Sequence, residues 1–187
     1  MLDPNKIAKT LVDRRNLNAI LPKIATTLAK TQLLGFDIET HDALRHEGLN
    51  QLMKIDEDGK KAAGSKLIFD TNRTTVTGFS LYPDGTDESY YFNLAHADEE
   101  NRLSFDEVRH LLDAYEGYYV IHNAPFEIVM LEKGLNTKWK LPHGKVIDTL
   151  ILCVTAYNSD TYTKSEFAKR QLTGLYKLIP DIMVAYG

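Results

Sequence analysis

Asp37 and Glu39 close the run LLGFDIE, and Asn123 and Glu127 follow the run YYVI much later in the chain. If residues 33–39 form a strand, side chains two apart leave on one face, so the two carboxylates stand side by side. Like charges so placed repel and resist burial unless a cation lies between them. Magnesium and manganese take hard oxygen ligands of this kind. A plainer account also serves, because an acidic pair at a strand end is often a solvated loop entrance. Asn123 and Glu127 stand four apart around a predicted helix start. Asn123 fits there as an N-cap, and Glu127 is favoured in the first turn by the helix dipole alone. His122 reads first as a packed or hydrogen-bonded residue, and Phe126 as core.

The elements that must position these groups follow from pattern. Residues 3–32 carry apolar side chains at helical spacing and read as one or two helices broken near Pro22. LLGFDIE is a short buried strand. TTVTGFSLYPDG and ESYYFNL are two strands joined by a Pro-Asp-Gly turn. SFDEVRHLLDAYE starts on Ser104 with Glu107 three residues on, the mark of a capping box. YYVIHN is a strand, and APFEIVMLEKG a helix with proline in its first turn and Gly134 as its stop. KVIDTLILCVTAY enters as a strand and continues as a helix from Asp148, and TKSEFAKRQL is a further helix with Thr163 or Ser165 near its cap. Residues 41–66 form a polar segment between the first strand and the hairpin. Its Lys54, Lys60, Lys61 and Lys66 are placed to meet phosphate, or to be merely solvated. This order implies an α/β protein, a mixed sheet with helices on both faces.

Composition bounds the function. The 187 residues suit one domain with a small appendage, read here as an N-terminal helical segment over 1–32 and a main domain over 33–187. A net charge of −4 gives no global nucleic-acid signature, so any such site must be local. The single cysteine, Cys153, excludes an internal disulfide framework and fits a reducing, cytoplasmic setting. No run of 18 apolar residues suggests a membrane partner.

Taken in order, the motifs make a specific set: a strand ending in D-x-E, a hairpin, a helix, then strand-H-N-x-x-F-E-x-x-x-L, then strand-Asp-Thr-Leu. This set resembles the DEDD superfamily of 3′–5′ exonucleases, which share the ribonuclease H-like fold. It is most similar to the proofreading domain of family A DNA polymerases of the polymerase I and phage type. The likeness spans about residues 17–175, and GFSLYPDG with SYYFNLAH looks like that family's hairpin. The resemblance implies that Asp37, Glu39 and Glu127 hold two divalent cations, Mg2+ or Mn2+. It implies that Thr40 and Asn123 contact the 3′-terminal strand, and that Asp148 supports the site as a helix cap. Glu127 stands where the family has aspartate, one methylene shorter. The substrate implied is single-stranded DNA or a frayed 3′ end, whose splayed bases suit such a site.

The family also needs an aspartate in a third motif, Y-x-x-x-D or H-x-x-x-x-D, on a later helix. His143 and Asp148 have the second spacing but span a glycine and a predicted strand. Tyr176 and Asp181 are interrupted by Pro180, which breaks the helical turn. The expectation is therefore a ribonuclease H-like domain whose third motif is missing at the C-terminus, a fragment or split product inactive alone. A polymerase domain or a C-terminal segment would be its partner. Two alternatives stay open: a non-catalytic module that binds single strands or a polymerase, and a ribonuclease of the same superfamily.

Overall fold

The computed structural model describes residues 7–42, 73–96, 98–135, 137, 139–142 and 144–156. The lysines at 54, 60, 61 and 66, the helix expected over 163–172, His143 and the Tyr176–Asp181 pair lie outside the described residues.

Alternation along LLGFDIE gives a strand with one buried face. β2 spans Leu33–His41 and buries Leu34, Phe36 and Ile38 while Asp37 and Glu39 stay exposed. The hairpin follows as β3 (Thr75–Pro83) and β4 (Glu88–Asn93). Its turn contains Gly85 at φ 76°, a left-handed conformation that glycine adopts without penalty. β5 (Tyr118–Ile121) and β6 (Val146–Asp148) extend the sheet on the other side of β2. With β1 (Ala8–Val12), the order across six strands is β1-β4-β3-β2-β5-β6. The β2–β3 and β3–β4 pairs are antiparallel, and β1–β4, β2–β5 and β5–β6 are parallel.

β1 corrects the expectation of an all-helical segment over 1–32. Residues 8–12 pair in parallel with residues 88–92, so a distant strand supplies hydrogen bonds that local periodicity does not reveal. The remainder is helical: α1 spans Leu17–Leu28 and runs through Pro22 without breaking. Buried Ile24 and Leu28 hold its second half on the core, which offsets the amide that proline withholds.

α2 (Phe105–Asp113) carries the predicted capping box. Ser104 Oγ accepts from the Glu107 amide at 3.3 Å, and Glu107 Oε2 accepts from the Ser104 amide at 2.7 Å. α3 spans Ala124–Gly134 and α4 spans Thr149–Ala156. Aromatic rings fill the core face of the sheet. Phe79 stacks on Phe92 at 4.5 Å and on Phe36 at 5.8 Å, and Phe105 of α2 meets Phe79 edge-on. With that face filled, the opposite face of β2 is left to polar groups. Among the described residues no helix is long and apolar enough to cross a membrane.

Candidate active site

Register builds the site from strand positions. Asp37 pairs with Ser80, Ser80 with Tyr91, and Tyr91 with Leu11, so one row crosses four strands on the face opposite the phenylalanine core. In the next row Glu39 pairs with Gly78, and Gly78 with Asn93. Between Glu39 and Thr40 the register slips, leaving Thr77 as an extra residue on β3. Its carbonyl accepts from the amides of Leu94 and Ala95 at 3.0 and 2.8 Å. A bulge at this place re-aims neighbouring side chains and ends regular pairing beside the acidic pair. Just beyond, Asp42 is buried and takes both prongs of Arg73 at 3.0 Å, tying the end of β2 to the start of β3.

The second half of the site is a turn. Asn123 occupies the N-cap position of α3 in the left-handed region, φ 66° and ψ 52°, and its side chain makes no capping bond. Asp148 does that work instead. Its Oδ1 accepts from the Asn123 amide at 3.1 Å and its Oδ2 from the Ala124 amide at 2.9 Å. The same Oδ1 accepts from Leu150 at 2.8 Å and Ile151 at 3.4 Å, capping α4 as expected of the residue that opens it. One carboxylate therefore holds two helix starts, and the Asn123 side chain is left exposed. The expectation of Asn123 as its own cap is corrected here. Asp148 brings stronger, charge-assisted acceptors to the same amides.

His122 Nδ1 lies 3.1 Å from Thr149 Oγ1, and that hydroxyl donates to the Ile121 carbonyl at 3.2 Å. The histidine is thus bound into the junction between β5 and α4. Phe126 is partly buried against the core, and Thr40 is half-buried just past the bulge.

Glu127 is the unusual group. It is 2% exposed, and its Oε2 is buried without a hydrogen-bond partner. Burial pushes its carboxyl up to about 8, and the charges of Asp37 and Asp148 add to the shift. A helix-dipole explanation predicts a solvated, ionised glutamate, so dipole alone does not account for this residue. Asp37 is exposed, yet surrounding protein withdraws enough water to raise its carboxyl above the ordinary range. The charge of Glu39 adds to that shift, and His122 opposes it. Asp37, Glu39 and Glu127 are thus linked electrostatically across β2 and α3, with His122 and Asp148 at the margin.

Among the described residues no three His, Cys, Asp or Glu side chains already stand gathered as a metal cage. The donor chemistry nonetheless fits a hard divalent cation. Mutually repelling carboxylates and an orphaned buried oxygen are what such an ion would relieve. The role of Asp148 at α3 could not be read from spacing, because its partners lie 24 and 25 residues away.

No protein-family model and no curated protein matches the chain. Solved structures do. A chain from the structure of the yeast NOT1 MIF4G domain co-crystallized with CAF1 aligns with a TM-score of 0.51 and 12% identity, over 85% of this chain and 77% of that one. The Trypanosoma brucei RNase D:GMP complex gives 0.49 and 12% over 82% of this chain, and the Aedes aegypti Nibbler EXO domain 0.49 and 14% over 86%. This chain spans 37% of that RNase D chain and 61% of that Nibbler chain. At such identities the likeness shows the fold and leaves activity to be argued from the site. The mixed six-stranded sheet with its packed helices is the ribonuclease H-like fold, shared with the matching chain of the NOT1–CAF1 structure.

Proposed function

We propose that this chain is a DEDD-type 3′–5′ exonuclease domain that hydrolyses the terminal phosphodiester of single-stranded DNA, as the proofreading part of a DNA polymerase. The observation that carries the nuclease reading is Glu127, a buried glutamate with an unpartnered oxygen, electrostatically tied to Asp37 on the neighbouring element. The polymerase context rests on the ordered motifs in the sequence alone.

Asp37, Glu39 and Glu127 are the residues that would hold divalent magnesium or manganese. When bound, such ions lower the pKa of water and offset the charge that develops on a reacting phosphate. The chain's own contributions follow from its geometry. Asp37 and Glu39 present two acceptors on one open sheet face. Glu127 supplies a third from the first turn of α3, held there because Asp148 fixes that helix start. Asn123 offers an exposed amide to the nucleic-acid strand, since capping does not occupy it. Thr40, past the bulge, offers backbone to the terminal nucleotide.

A second reading is favoured by one observation: the described residues hold no preassembled group of three donors. Under it, the same fold binds single strands or a polymerase without cutting. The test is release of nucleoside monophosphates from 3′-labelled single strands of DNA and RNA with Mn2+. It is run on the chain alone and with an added segment that carries a Y-x-x-x-D motif. Release from DNA that Asp37→Ala abolishes supports the proposal. Release from RNA only overturns the DNA substrate, and no release in either form leaves the binding module.

A further inference from the structure

Among the described residues, two buried polar side-chain atoms lack a hydrogen-bond partner, and each is electrostatically tied to one member of the acidic pair. One is Glu127 Oε2; the other is the hydroxyl of Tyr91 on β4. The function proposed above does not use Tyr91, yet its placement is specific. The phenol does not remain over its own row. A Cβ built on Gly78 would lie 2.3 Å from Tyr91 Oη and 2.5 Å from its Cζ, so the ring leans diagonally across Gly78. Gly78 is the register partner of Glu39. Directly paired residues hold their Cβ positions about 5 Å apart. The phenol therefore occupies the space a side chain at 78 would fill, immediately beside Glu39, and only glycine admits it there.

Thr77 stands next to the hydroxyl but does not reach hydrogen-bond geometry with it, and the His96 ring meets the phenol edge-on at 6.2 Å. Burying a hydroxyl with no partner costs free energy that phenylalanine would avoid while filling the same space. Packing alone thus favours phenylalanine. A phenol is protonated at neutral pH, so Tyr91 keeps an O–H to give.

Resting on the cation-site reading above, we infer that Tyr91 is a positioning residue: its buried hydroxyl is the donor that fixes the Glu39 carboxylate when a divalent cation is bound. The bond would set which oxygen of Glu39 faces the ion. Residues that orient a metal ligand in this way typically contribute about 10–100-fold to affinity.

The experiment is calorimetric titration of the full chain with Mn2+ at pH 8, for wild type, Tyr91→Phe, Glu39→Gln and the double variant. Urea unfolding without the cation runs alongside. The expected result is a loss of roughly tenfold or more in Mn2+ affinity for Tyr91→Phe. Its metal-free stability should be equal to or above that of wild type, and the loss should vanish in the Glu39→Gln background. Unchanged Mn2+ affinity in Tyr91→Phe overturns the inference while leaving the cation site standing. A loss that persists with Glu39→Gln shows the phenol acting elsewhere, and a destabilised Tyr91→Phe shows a structural bond; each overturns it. If wild type takes up no Mn2+, the cation site fails and this inference with it.

Discussion

Replacing Asp148 by alanine removes the acceptor for four backbone amides at once: Asn123, Ala124, Leu150 and Ile151. Loss of one N-cap typically costs about 0.5–2 kcal/mol, and Asp148 caps two helix starts with a charged group. The expected destabilisation is about 3 kcal/mol, or a fall in Tm of roughly 6–12 °C for a chain of this size. Asparagine should cost less, about 1–2 kcal/mol, because it is itself a good cap. Its single carbonyl oxygen can serve the three amides at Oδ1, while its NH2 would face the Ala124 amide. Urea denaturation of wild type, Asp148→Asn and Asp148→Ala measures this directly. The order wild type, Asn, Ala is required, and a parallel Mn2+ titration should show Asp148→Asn retaining affinity. An Asp148→Ala chain within about 0.5 kcal/mol of wild type would refute the double-cap reasoning. Retained stability with abolished Mn2+ binding in Asp148→Asn would instead make Asp148 a ligand.

Two further outcomes follow from single residues. Glu127 is raised by burial to about 8, so it is neutral in both folded and unfolded states at low pH, and its stabilising effect is complete there. As pH rises from the ordinary glutamate range through about 8, the unfolded chain ionises first and metal-free stability falls, by up to roughly 5 kcal/mol. Unfolding at pH 5, 7 and 8.5 should show that slope in wild type and its loss in Glu127→Gln; a flat wild-type profile contradicts it. Gly78→Ala should destabilise by about 1–3 kcal/mol, since its Cβ would meet the Phe92 carbonyl at 2.5 Å as well as the Tyr91 phenol. Thermal unfolding of that variant checks the close approach, and an unchanged Tm would show that the strands yield.

Local signals carried much of this fold. Strand alternation put Asp37 and Glu39 on one open face, Ser104 and Glu107 marked the start of α2, and Pro-Asp-Gly marked the hairpin. Asp148 was readable as a cap because it stands directly before its own helix. The failures share a cause, which is partners remote in sequence. β1 forms because residues 88–92 offer it an edge, and α1 passes Pro22 because Ile24 and Leu28 are held by the core. Asn123 yields its capping role to an aspartate 25 residues on. Glu127 was legible as a position but not as a buried group, since the helix dipole explained its place without reference to what packs around it. Tyr91 was one tyrosine in a tyrosine-rich strand until register set it beside Gly78 and Glu39.

The cation site proposed on Asp37, Glu39 and Glu127 can be seen directly. The most direct measurement is anomalous scattering at the manganese edge from crystals of the chain soaked in Mn2+ at pH 8. A peak is expected within about 2.5 Å of carboxylate oxygens of both Asp37 and Glu127, with Glu127 Oε2 no longer unpartnered. Density showing no peak there, with that oxygen still orphaned, would contradict it.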